Sequence, residues 1–200
     1  MKRRLALWFL LAAASLAAQP LSRGDRDRAM SHLHATRKML LDSVAALSDA
    51  QWRFQPSPDR WSVGQCAEHI VLTEERLFSL ITEKILKSPA APEKATAEQR
   101  AKDAQVLERM SDRSQKAQAP EALVPGPATS RTELLERFKQ VRDRTIAYVD
   151  QTEAPLRLHF ASVPGGEMDA YQFLLMIAGH TDRHVQQIEE VKAAAGFPHH

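Results

Sequence analysis

Tyr171-Gln-Phe-Leu-Leu-Met-Ile-Ala-Gly-His180-Thr-Asp-Arg-His184-Val-Gln-Gln-Ile-Glu-Glu-Val191 carries apolar residues at Phe173, Ile177, Ile188 and Val191. That spacing lines one face of a helix turning once in about 3.6 residues. His180 and His184 continue the stripe. Residues four apart share a helix face, so both imidazoles reach the same point in space, which is metal-ligand spacing. The stripe is also the face a helix turns toward its core, and two imidazoles buried there need polar partners or a metal ion. A His-x-x-x-His pair arises easily by chance in a chain with eight histidines. The pair gains its weight from its place on the stripe.

Three more segments share this helical periodicity. The first spans residues 25–47, with Met30, Leu33, Leu40, Leu41 and Val44 apolar, and stops before Ser48-Asp49 and the Pro56-Ser-Pro58 loop. The second opens at Ser62-Val-Gly-Gln65, runs to about Lys87 with Val63, Cys66, Ile70, Leu77 and Ile81 on one face, and ends before Pro89 and Pro92. The third opens at Ser130-Arg-Thr-Glu133 and carries Leu134, Phe138, Val141, Thr145 and Val149. The fourth, quoted above, opens at Asp169-Ala-Tyr-Gln172 and stops at Gly196-Phe-Pro198, a C-cap glycine followed by a breaker. Ser62, Ser130 and Asp169, each with Glu or Gln three residues on, read as capping boxes; Ser22 with Asp25 is a weaker one. Four amphipathic helices predict an all-α protein, a four-helix bundle over residues 22–198.

A long connection, residues 88–129, joins the second and third helices. It is rich in Ala, Glu, Lys and Gln, with prolines at 89, 92, 120, 125 and 127. An accessory helix over 93–117 has only a thin apolar face, which favours a solvated excursion over an active-site lid. Residues 151–168 alternate Leu156, Leu158 and Phe160 before Pro164-Gly-Gly166, the pattern of a short extended piece and a turn.

The start of the chain differs in kind. Met1-Lys-Arg-Arg4 is basic, Leu5 to Leu11 is apolar, and small residues follow before Gln19-Pro20. Residues 1–18 thus read as a secretory signal peptide, too short in its apolar run for a retained membrane anchor. The expected location is periplasmic or extracellular if the source is bacterial, with no stable membrane span after cleavage. Removing three basic residues leaves 24 Lys plus Arg against 25 Asp plus Glu, so the formal charge of +2 belongs to the leader. No basic patch with interleaved aromatics remains, which speaks against nucleic acid as a partner. A small-molecule substrate is expected, and a homodimer is compatible with a small bundle. Cys66, the only cysteine, cannot form an intrachain disulfide.

A metal site needs a third donor, and the second helix offers Glu68 and His69. His69 falls at the edge of the apolar stripe, next to Cys66 and Thr73, while Glu68 points further out, so His69 is the better candidate. With His180 and His184 it makes a three-histidine site on two facing helices, leaving positions open for water or substrate as catalytic sites do. Neutral nitrogen donors suit one divalent ion: zinc, nickel, cobalt or ferrous iron.

Trp61-Ser-Val-Gly-Gln-Cys-Ala-Glu-His69-Ile70 resembles the second-helix motif of the DinB-like metal-binding bundles, and Gly179-His180-Thr-Asp-Arg-His184-Val-Gln-Gln187-Ile188 resembles their last-helix motif. Leu40-Leu-Asp-Ser-Val-Ala-Ala-Leu-Ser-Asp-Ala-Gln51 is similar to the family's first helix and exit turn. The resemblance implies an up-down-down-up bundle with one divalent metal held by His69, His180 and His184. It also implies a choice of chemistries: thiol-dependent transfer, maleylpyruvate-type isomerisation or metal-dependent hydrolysis. An export signal departs from the cytoplasmic transferases and weakens the use of a reduced cytosolic thiol.

The leading expectation is therefore an exported metal-dependent hydrolase or transferase acting on a small molecule. The alternative is a non-catalytic bundle whose metal is structural and whose function is to bind a partner. Catalytic candidates beyond the ligands are weaker. Glu68 suits a general base or a partner to a ligand histidine, Gln187 suits orientation of a bound water, and Arg37 suits an anionic substrate group unless its stem merely passes the core. Cys66 reads as a buried core thiol, Trp52 and Trp61 as core packing, and His32, His34 and His159 have no matched partner.

Overall fold

The computed structural model describes residues 20–114, 118–126, 130–164 and 166–199. The expected leader lies outside these residues. Four long helices form the body: α1 (Arg23–Val44), α3 (Val63–Glu83), α6 (Arg131–Gln151) and α7 (Ala170–Lys192). Shorter ones are α2 (Asp49–Arg53), α4 (Ala97–Ala101) and α5 (Asp103–Ser111). Among the described residues no helix is long and apolar enough to cross a membrane.

Contacts between helix ends give the topology. Arg26, near the start of α1, donates to the carbonyls of Val149, Asp150 and Thr152 at the end of α6, and Arg131 at the start of α6 donates to Leu47 beyond α1. These two helices are antiparallel. Tyr171 donates to Asp25 O at 2.8 Å and Lys192 to Ser43 O at 3.1 Å, so α7 runs parallel to α1. The start of α3 shares an apolar cluster with the end of α7, and the end of α3 shares one with the start of α7, making that pair antiparallel. In chain order the long helices run up, down, down, up, as expected.

Two apolar clusters fill the bundle. One holds Leu33, Ile81, Val149, Leu156, Phe173, Leu174 and Ile177; the other holds Leu40, Val44, Trp52, Val63, Cys66, Ile70, Phe138, Val185 and Ile188. On every long helix a polar residue falls between the two: Thr36, Glu74, Arg142 and Thr181. Arg142 is fully buried and donates to both Glu74 carboxylate oxygens (2.8–3.0 Å), to Leu33 O (2.8 Å), to Thr36 Oγ1 (2.9 Å) and to Thr181 Oγ1 (2.8 Å). One guanidinium thus ties all four helices, using the planar fork that arginine supplies and lysine lacks.

The start signals hold with one exception. Capping boxes form at Ser62–Gln65 and Asp169–Gln172, and Ser22 accepts from Asp25 N. Ser130 caps nothing with its side chain. Its backbone sits at φ −50°, ψ 125°, against ψ of 164–169° at the boxed residues. A box that the sequence analysis passed over forms at Ser48–Gln51 and starts α2. The second helix ends at Glu83, continued by a 3-10 turn at Ile85–Lys87. Helix α7 ends at Lys192, so Gly196 (φ +83°) caps a further turn rather than the helix itself, and folds Phe197 against Phe54 at 5.5 Å.

Residues 151–168 form more than one extended piece. A 3-10 turn at Leu156–Leu158 leads into an antiparallel hairpin of β1 (Phe160–Val163) and β2 (Gly166–Asp169). Its turn requires the φ of +146° that Gly166 adopts.

The connection between α3 and α6 differs from the solvated excursion expected of it. Helix α5 packs along α7, with Val106 and Leu107 against the core. A Cβ on Gly179 would stand 2.8 Å from Met110 Cβ and 3.3 Å from Leu107 O, so only glycine admits this approach. Polar anchors replace the missing apolar face. Asp103, buried, receives Arg157 at 2.7 and 2.9 Å and Gln172 Nε2 at 3.0 Å, and Gln172 also donates to Gln99 O at 2.8 Å. Buried polar anchors of this kind leave no trace in hydrophobic periodicity.

Candidate metal centre

His69 sits in the second turn of α3, and His180 and His184 sit one turn apart on α7. One ring nitrogen from each lies within 4.8 Å of the other two, and His69 Nε2 is 3.2 Å from His180 Nε2. His69 and His184 are buried; His180 keeps part of its surface open to a cavity.

The tautomers of two rings follow from their neighbours. A carbonyl oxygen only accepts, so His69 Nδ1–H donates to Leu123 O at 2.7 Å. His184 Nδ1–H donates in the same way to Gln187 Oε1 at 2.9 Å, an oxygen that also receives Arg113 Nη1 at 3.4 Å. Both rings therefore turn an Nε2 lone pair inward, the arrangement that supporting hydrogen bonds impose on ligating histidines.

Burial pushes the pKa of all three imidazoles down. His184 falls to about 3, helped by repulsion from His69, and His180 falls well below the usual histidine value, pressed further by His184, His69 and Arg183. Three neutral imidazoles facing one point in a buried setting fit a borderline divalent cation of the zinc or nickel kind. Trp61 covers two of the rings, with centroids 4.8 Å from His69 and 6.1 Å from His184. It is a wall of the site as well as a packing residue.

The cavity beyond the ligands has a volume of about 1010 Å3. Thr73, Leu77, Met176 and Gln187 line it from the bundle, Met110 and Arg109 from α5, and Leu123 and Val124 from the following loop. The connection between α3 and α6 is thus a wall of the site, and through Leu123 O it touches His69.

The weaker candidates fare differently. Glu68 is not among the residues lining the cavity; it lies on the α6 side of α3, in the field of Arg137. Arg37 is likewise away from the cavity, paired with Asp143 of α6 at 3.2 Å. Both point elsewhere because α1 and α3 each turn one face toward α6. Gln187 is at the site, where its Oε1 accepts from His184 Nδ1. Cys66 is fully buried in the apolar cluster with its thiol pKa pushed up to about 12 by burial, as a core cysteine should be. Of the unmatched histidines, His159 bonds Ser88 O at 2.9 Å.

Sequence reasoning missed Leu123, Thr73 and Arg109. Thr73 had a signal, since it lies one turn past His69 on the same face. Leu123 acts through its backbone and Arg109 through the docking of α5, which no side-chain pattern records.

Fold and site together define a class: an up-down-down-up four-helix bundle with an open three-histidine cluster between its second and last long helices. The chain belongs to the DinB superfamily, whose family model matches residues 32–188, a span that includes all three histidines. Its fold is similar to that of YfiT from Bacillus subtilis, described as a probable metal-dependent hydrolase with an unusual four-helix bundle topology. The two are 15% identical with a TM-score of 0.53, over 89% of this chain and 91% of YfiT. No relative was found among curated proteins.

Proposed function

We propose that this protein is a metal-dependent hydrolase of small molecules, with His69, His180 and His184 holding one divalent ion. The observation that carries the reading is three neutral imidazoles meeting at the floor of a cavity large enough for a small organic molecule. A divalent ion bound there supplies a Lewis acid that activates water or polarises a carbonyl.

The chain's own groups do the rest. Leu123 O and Gln187 hold two rings in the ligating tautomer. Trp61 shields His69 and His184 from solvent on one side. Among the described residues the lining carboxylates are Asp59 and Asp112, both exposed, and Asp112 is occupied by Ser114. No lining carboxylate is buried beside the imidazoles to act as a built-in base. The description of YfiT supports hydrolysis over thiol transfer. An open cavity favours chemistry over the alternative of a structural ion, since structural sites close all their positions with protein ligands. We further propose that the reaction takes place outside the cytoplasm, on the strength of the basic, apolar and small-residue succession in residues 1–18.

The test is metal analysis of the purified protein beside His180→Ala. The wild type is expected to hold one divalent ion per chain and the variant to lose most of it. Equal metal content in both sinks the site.

A further inference from the structure

Thr73 is 6% exposed, yet its hydroxyl makes no hydrogen bond among the described residues. Helical threonines elsewhere in the chain satisfy theirs on the carbonyl four residues back, as Thr36, Thr82, Thr145 and Thr181 do. Thr73 instead lines the cavity, one turn past His69 on α3. A buried hydroxyl left unpaired is costly. The partner it fits is an oxygen atom of a ligand resting on the histidine floor.

The cavity also holds an uncommitted cation. Four arginines line it. Arg113 grips Glu190 at 2.6 and 2.7 Å, Arg60 lies 3.8 Å from the same carboxylate, and Arg183 donates to Asp112 O. Arg109, exposed on α5, forms no hydrogen bond or ion pair among the described residues. Leu77 and Met176 supply apolar wall in the same cavity.

We infer that the substrate is a small elongated organic anion: an oxygen function on the floor at Thr73, an apolar body along Leu77 and Met176, and a carboxylate held at Arg109. The floor chemistry rests on the hydrolase reading above, whereas the selection of an anion at Arg109 does not. Arginine offers a fork matched to a carboxylate, and Thr73 fixes which end of the molecule lies over the histidines.

Calorimetric titration tests this with linear dicarboxylates from succinate to suberate, each against the monocarboxylate of the same length, on zinc-loaded and on metal-free protein. One carboxylate stands in for the oxygen function at the floor and the other for the anionic end. The best dicarboxylate is expected to bind roughly tenfold more tightly than its monocarboxylate. Arg109→Gln erases that preference. Thr73→Val weakens both several-fold, and Thr73→Ser restores them. The inference is overturned if no length shows the preference, if the preference survives Arg109→Gln, or if Thr73→Val titrates as wild type does. Zinc content of the same samples separates the two readings. A wild type that takes up no zinc defeats the metal site alone, and the dicarboxylate preference of the metal-free protein, judged by the same variants, then decides this one.

Discussion

At the scale of single residues, the three-histidine cluster depends on groups that touch its rings from outside. Gln187 Oε1 holds the Nδ1–H of His184 at 2.9 Å, and supports of this type are worth roughly 10–100-fold in metal affinity. Gln187→Ala is therefore expected to weaken zinc binding within that range while leaving the fold intact, read by competition with a chromophoric chelator. Unchanged affinity would show that packing alone orients the ring. The His180–His184 half of the histidine cluster was legible in the sequence because a helix converts a four-residue spacing into a shared direction. The weaker candidates Glu68 and Arg37 lie away from the cavity for a related reason. A residue at the edge of a stripe can face either neighbouring helix, and only the bundle decides which: both ended toward α6.

At the scale of elements, the starts at Ser22, Ser62 and Asp169 were legible from their capping side chains, the helix after Ser130 starts where expected but without a side-chain cap, and the box at Ser48 went unread. Helix α5 was the larger miss, because it docks through Asp103 and through the absence of a side chain at Gly179. Glycine inside a helix costs about 1 kcal/mol relative to alanine, so Gly179→Ala would ordinarily stabilise α7. Here the added Cβ meets Met110 Cβ and the Leu107 carbonyl, neither of which is the flexible tip of a side chain. The substitution is expected to loosen α5, giving faster limited proteolysis within residues 103–114 and no gain in thermal stability. A gain of about 1 kcal/mol with unchanged proteolysis would place α5 away from α7 in solution.

At the scale of the whole molecule, the buried Arg142–Glu74 pair joins four helices between two apolar clusters. Breaking such a pair by removing one partner costs about 3–5 kcal/mol, because a buried charge is left behind. Glu74→Ala is expected to lose stability of that order in denaturant unfolding, and the apolar double variant Glu74→Met with Arg142→Leu to recover most of it. A small loss in the single variant would mean that water reaches Arg142. Thr181, which receives Arg142, is the neighbour of His180 in the chain, so the same network reaches the turn of α7 that carries the histidine cluster. The sequence alone determined the four amphipathic helices, the handedness-independent pairing of His180 with His184, and the candidacy of His69, because each depends only on the helical repeat and on which side chains avoid water. Tertiary structure decided the helix directions, the docking of α5 and Leu123 over the site, the faces taken by Glu68 and Arg37, and the polar layer at mid-height. Those depend on pairings between residues up to 149 positions apart, such as Lys192 with Ser43 O, and on backbone groups whose partners no local pattern specifies.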